Sequence, residues 1–125
     1  MTRRSIDVSS ISHANPIPVA SRVGPLLVSS IIAPKDPGAE SIPTEPVEQI
    51  RNLFHHIGEM LNAADGDWSH VAKITFHVPD GGYREIINGP WLEQFPDAAS
   101  RPARYTQVNP AGGSMVACDF LAYIS

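Results

Sequence analysis

Two residues near the C-terminus carry side chains suited to hydrolytic chemistry on a small anion. Arg104 offers a planar guanidinium that binds a carboxylate through two parallel hydrogen bonds, and Asp119 offers a carboxylate that can orient or activate a water. They fall on two runs with strand character, Pro102 to Val108 and Met115 to Ile124, separated by Asn-Pro-Ala-Gly-Gly-Ser. A hairpin with its turn centred between Ala111 and Gly112 would set Val108 opposite Met115, Thr106 opposite Ala117 and Arg104 opposite Asp119. Two readings follow from that pairing: an ordinary cross-strand ion pair, worth little where exposed, or a substrate-binding cation beside a water-directing acid. Spacing alone leaves both open.

Other residues that invite chemistry do so less strongly. Five histidines suggest metal binding, and His55 with Glu59 has the i, i+4 spacing of a helix, but His13, His70 and His77 stand on separate elements without ligand-motif spacing, so no metal site is expected. Ser29 and Ser30 lack the Gly-x-Ser-x-Gly elbow of a nucleophile. Gly81-Gly82 and Gly112-Gly113 belong to no phosphate-binding fingerprint and read as turns. Cys118 is the only cysteine, which excludes an intrachain disulfide and a thiolate zinc site and suits a small buried hydrophobe on a strand. Phe54, Trp91 and Phe95, at helical spacing, read as core.

The elements that must position Arg104 and Asp119 are legible from periodicity. Ser5 to Ser10 alternates, Val19 to Val23 mixes apolar and polar residues, and Leu26 to Ile32 is rich in branched side chains; these are strands, with Val23-Gly24-Pro25 turning between the last two. Pro34 to Pro43 is a surface loop. From Thr44 to Ala63, apolar Val47, Ile50, Leu53, Phe54, Ile57, Met60 and Leu61 recur every three or four residues, predicting an amphipathic helix with Thr44 as N-cap and Pro46 in the first turn. Val71 to Val78 alternates as a strand. Tyr83 to Phe95 is helical in spacing, with a kink or restart expected at Pro90.

Strands, helix, strand, helix, strands describes an α+β domain with two helices on one face of a mostly antiparallel sheet. In the last strand Val116, Cys118, Phe120, Ala122 and Ile124 would meet the helices, while Met115, Ala117, Asp119, Leu121 and Tyr123 point to the uncovered side. That second set is still largely apolar, which predicts a homo-oligomer sharing the open face.

Composition bounds the reading. At 125 residues the chain is one domain, 1–125, and with 42% hydrophobic and 18% charged residues it can bury a core. No apolar run reaches the roughly 20 residues of a membrane span, and Arg3-Arg4 leads straight into polar alternation, so a cytoplasmic protein with no membrane partner is expected. Nine Lys plus Arg against thirteen Asp plus Glu give a net charge of -4, and only two of the cations are lysines, which disfavours a nucleic-acid partner.

Taken together, several short motifs resemble the Rid family (YjgF/RidA, the reactive intermediate deaminases). They are Pro102-Ala103-Arg104 with an acid fifteen residues later, Gln49-x-Arg51 opening the first helix, Val71-Ala72-Lys73 entering the central strand, and Asn88 with Trp91 and Phe95 on the second helix. The likeness runs from His13-Ala14 to the C-terminus. It implies a chorismate-mutase-like α+β fold, a homotrimer with sites between subunits, and cofactor-independent, metal-free hydrolysis of a carboxylated enamine or imine to a carbonyl compound and ammonia. Arg104 then matches the carboxylate-holding arginine, and Asp119 matches a position usually held by a water-positioning glutamate, one methylene longer. Ile17, Ser30, Ile31 and Asn88 fall at substrate-binding positions. Asn15-Pro16-Ile17 stands where Gly-Pro-Tyr is frequent, and Ser30-Ile31-Ile32 where Ser-Gly-Gln is frequent, so the implied pocket is more apolar than usual. The alternatives are a non-catalytic trimer that binds small carboxylates and a specialised tailoring enzyme using the same clefts.

Overall fold

A computed structural model describes residues 2–110 and 113–125. The order is β1 (Arg3–Ile6), β2 (Ala20–Val23), β3 (Leu26–Ser29), α1 (Pro46–Ala63), a 3-10 turn (Trp68–His70), β4 (Val71–Val78), α2 (Tyr83–Gln94), β5 (Ala103–Val108) and β6 (Ala117–Tyr123). The strands form one sheet in the order β1-β2-β3-β6-β4-β5. All neighbours are antiparallel except β4 and β5, which run parallel with α2 as their crossover. The α+β layout with helices on one side of a mostly antiparallel sheet is as expected, and among the described residues no helix is long and apolar enough to cross a membrane.

The core lies between helices and sheet. Ile50, Leu53, Ile57, Met60 and Leu61 of α1 are buried against Leu27, Ile74, Phe76, Cys118, Phe120 and Ala122. Phe54, Trp68, Phe76, Trp91 and Phe95 fill the α1–α2 side with largely edge-to-face contacts, for instance Phe54–Phe76 at 6.2 Å and Phe76–Trp91 at 6.3 Å. Gln49 is the polar seam: its side chain donates to the Pro43 carbonyl at 2.9 Å and accepts from the Val116 N–H at 2.9 Å, tying α1 to the entrance of β6.

Several expectations are corrected. The predicted β5–β6 hairpin does not form, because β4 lies between these strands: Arg104 is in register with Ile74, and Asp119 with Thr75. The helix separating β4 from β5 forces a parallel pairing, and β6 then fills the slot between β3 and β4. The turn placed between Ala111 and Gly112 lies outside the described residues. The N-cap of α1 is Glu45, not Thr44; Pro46 at the start of the helix holds its predecessor in extended backbone (φ -77, ψ 124), and no side chain caps the helix. The first strand ends at Ile6 rather than Ser10, since Ser10 leaves the sheet to hydrogen-bond His56 and to accept from Gly38. α2 runs through Pro90 without restarting, its proline ring buried.

Candidate functional site

The alternation of the strands decides where the predicted residues stand. Ile74, Phe76 and Val78 of β4 face the helices, so Arg104, in register with Ile74, rises on the helix side at the sheet's edge. Its guanidinium lies 5.1 Å from the centre of the Trp91 ring, a cation–π stack that fixes the long side chain. Arg84, Asn88 and Trp91 follow one another at one-turn spacing on α2, so Asn88 shares this corner while remaining exposed. Burial first, and the positive charge of Arg84 second, push the Arg104 guanidinium below its usual range. Among the described residues neither Arg104 nor Arg84 has an acidic partner within ion-pair distance. The corner is electropositive and presents a flat, oriented donor fork: it can bind an anion.

Asp119 stands on the other side of the sheet. Its row on the open face includes Thr75 and Tyr105, and its carboxylate accepts a hydrogen bond from His77 Nε2–H at 2.8 Å. His77 is in register with Ala117, so the pair is diagonal between β4 and β6. Just beyond, the β3–β6 ladder is irregular: Val28 pairs with Leu121 and Ile32 with Cys118, leaving three residues, Ser29 to Ile31, opposite two. Ser29 fills the gap by accepting the Phe120 N–H through its hydroxyl oxygen at 2.9 Å. Ser30 donates its N–H to the Val19 carbonyl at 3.0 Å and its hydroxyl to the Pro18 carbonyl at 2.8 Å. That link fastens the 17–19 segment to the bulge and leaves Ile17 and Ile31, 46% and 47% exposed, flanking it.

The six predicted residues therefore divide. Arg104 and Asn88 share the helix-side corner, whereas Asp119, Ser30, Ile17 and Ile31 gather at and around the bulge, and within one chain Arg104 and Asp119 point away from each other. Sequence reasoning missed His77 as Asp119's partner. Its signal was a histidine on an alternating strand, but the pairing becomes visible only when β6 is placed beside β4.

Other candidates resolve simply. Cys118 is fully buried, and burial, helped by the Asp119 charge, pushes its thiol well above the usual range, so it packs rather than reacts. Among the described residues no group of three or more His, Cys, Asp or Glu side chains converges to hold a metal. A hollow of about 670 Å³ runs between α1 and α2 past Arg51, His55, Glu59, Trp68 and Glu93, with neither Arg104 nor Asp119 in its lining.

No protein-family model matches the sequence, and no curated protein matches it. Solved structures do. YyfA from Yersinia pestis, of the conserved Rid protein family, is 19% identical with a TM-score of 0.89, covering 98% of this chain and 100% of that one. TdcF from E. coli, with bound serine, is 17% identical with a TM-score of 0.87, covering 98% and 99%. A candidate endoribonuclease from Thermotoga maritima is 20% identical with a TM-score of 0.87, covering 98% of each chain. From end to end, the backbone described above has the chorismate-mutase-like α+β fold of the YjgF/Rid structures.

Proposed function

We propose that this chain is a Rid-type hydrolase that converts a carboxylated imine or enamine to a carbonyl compound and ammonia. The observation that carries the reading is Arg104, a half-buried guanidinium stacked on Trp91 with no acidic partner among the described residues. A cation that is desolvated and left unneutralised favours an anionic ligand, and a planar fork favours a carboxylate. The bound serine of TdcF, a small carboxylate on the same fold, supports that class.

The acid it needs comes from a neighbouring copy. Arg104 sits on edge strand β5, whose outer edge no strand of the chain covers, and Asp119 sits on an open face carrying exposed Val28, Leu121 and Tyr123. Association of three copies, edge against open face, buries both and brings the Arg104 corner of one subunit to the Asp119 bulge of the next, with Asn88 on the first side and Ile17, Ser30 and Ile31 on the second. Arg104 would hold the carboxylate while the Asp119 side supplies water to the electrophilic carbon. Ile17 and Ile31 give the cleft an apolar wall, which favours substrates with larger apolar substituents. A ribonuclease reading fits less well, since the net charge is -4 and the corner brings two arginines, Arg84 and Arg104, near each other rather than a run of cations along a phosphate track.

The test generates imines in situ with an amino-acid oxidase and follows their hydrolysis in competition with semicarbazide, alongside sedimentation at micromolar concentration. Turnover, a mass about three times that of the chain, and loss of at least ~10-fold in turnover for Arg104→Lys with an unchanged melting temperature are expected, because a point-charge ammonium does not replace the fork. A monomer without turnover on any imine would overturn the reading.

A further inference from the structure

We propose that the proton carrier of this site is His77, with Asp119 as the group that orients it. The inference rests on the hydrolase reading above and changes the part Asp119 plays in it. Asp119 accepts the Nε2–H of His77 at 2.8 Å, and an ionised carboxylate can only accept, so the proton of the neutral ring stands on Nε2. Nδ1 is left with its lone pair, and among the described residues it has no hydrogen-bond partner. An imidazole held by a carboxylate through one nitrogen and open at the other is the arrangement of a general base with its orienting acid.

The surroundings suit that role. His77 and Asp119 keep 25% and 42% of their side-chain surface exposed, enough for water and substrate to reach them. Around His77 on the open side are Asp119 from β6, Thr75 from its own strand, and Gln107, in register, and Tyr105 from β5, with Lys73 further along β4; among the described residues no helix covers this side. Lys73 lies over the Tyr105 ring, 5.7 Å from its centre, and among the described residues Asp119 is the only acid within ion-pair distance of the imidazole.

In the forward step the Nδ1 lone pair of His77 takes a proton from water as the water oxygen bonds to the imine carbon, and the C=N π pair moves onto nitrogen. The resulting imidazolium is held by Asp119. It returns the proton to the nitrogen, giving the neutral carbinolamine; the imidazole then carries the hydroxyl proton to the same nitrogen as C=O forms and the C–N bond breaks, its electron pair leaving on ammonia. One water is consumed and no net proton, so no co-reactant is needed.

The experiment compares His77→Gln, Asp119→Asn and the double variant in the in situ imine assay across pH, each checked by thermal melting and sedimentation. Expected are a fall of ~100-fold or more in kcat for His77→Gln with little change in KM, a pH–rate profile altered from that of the wild type, and a double variant no slower than the worse single one. His77→Ala, should the glutamine variant fold poorly, should regain turnover on addition of free imidazole. If the wild type hydrolyses imines while His77→Gln keeps its rate and pH profile and Asp119→Asn does not, Asp119 acts on water directly and the inference fails, leaving the hydrolase reading intact. A wild type without turnover would instead remove the reading on which the inference rests.

Discussion

The two faces of the sheet are built from the same strands, and their contrast explains where chemistry has room. On the helix face Ile74 and Phe76 are 0% exposed and Phe120 is 3% exposed, whereas on the open face Leu121 and Tyr123, one and three residues beyond Phe120, are 39% and 58% exposed. Strand alternation writes apolar residues onto both sides, but among the described residues the two α-helices both lie on one of them. The covered face spends its polar groups on structure: Gln49 and His56 are buried with their hydrogen bonds satisfied. The open face keeps an acid, an imidazole and a lysine where a ligand can meet them. Buried polar groups thus serve the fold on the covered side, while the accessible ones lie on the open side and, with Arg104, at the covered side's edge.

The sharpest break of that contrast is Phe76→Ala. Phe76 lies between Phe54 and Trp91 with no exposed surface, so truncation removes two aromatic contacts and leaves a cavity. Urea unfolding should show a loss of about 3–5 kcal/mol. A loss below ~1 kcal/mol would mean that the aromatic layer repacks and does not hold Trp91 and Arg104 rigidly.

A buried histidine on the covered side tests the contrast by pH. His56 on the covered side donates Nε2–H to the Lys35 carbonyl at 2.7 Å and accepts the Ser10 hydroxyl at Nδ1 at 3.0 Å, joining two loops to α1. Burial holds its pKa below the ordinary 6.5, despite the opposing pull of the Lys35 carbonyl. Because the folded value lies below the unfolded one, the unfolded chain binds more protons in the interval between them, and stability falls as pH drops below about 6.5 toward the folded value. Urea midpoints measured through this interval should decline on acidification, and His56→Gln should flatten the slope. A slope unchanged in the variant would assign the acid sensitivity elsewhere.

How much of this was legible in the sequence follows the range of each interaction. α1 and β4 are set by local periodicity, and the predicted Ala63 and Val71–Val78 boundaries coincide with those observed. The two faces of β6 were readable for the same reason: Val116, Cys118, Phe120, Ala122 and Ile124 are all buried. Register is non-local, and there the reading failed. Proximity in sequence suggested a β5–β6 hairpin, although a helix between β4 and β5 already required those two to run parallel and left β6 free to pair elsewhere. That single error placed Arg104 beside Asp119 and concealed His77. The bulge at Ser29 to Ile31 was equally hidden, since it is stabilised by a serine hydroxyl standing in for a backbone carbonyl.

The smallest expected effect sharpens the contrast most, because it separates a face that is merely exposed from one that is shared. Leu121 is in register with Val28 across β3 and β6, in a row of exposed apolar side chains, and in a dissociated chain it is 39% exposed with few atoms to lose on truncation. Leu121→Ala should therefore change urea stability by about 0.5 kcal/mol or less at concentrations where the chain is monomeric. If the open face is buried between copies, the same substitution removes apolar area from each interface, and sedimentation should show assembly moving to higher protein concentration than in the wild type. A large loss in the dilute chain would mean that this row is already packed within one subunit. An unchanged assembly curve would mean that copies meet elsewhere, and Arg104 and Asp119 would then have no route to a common substrate.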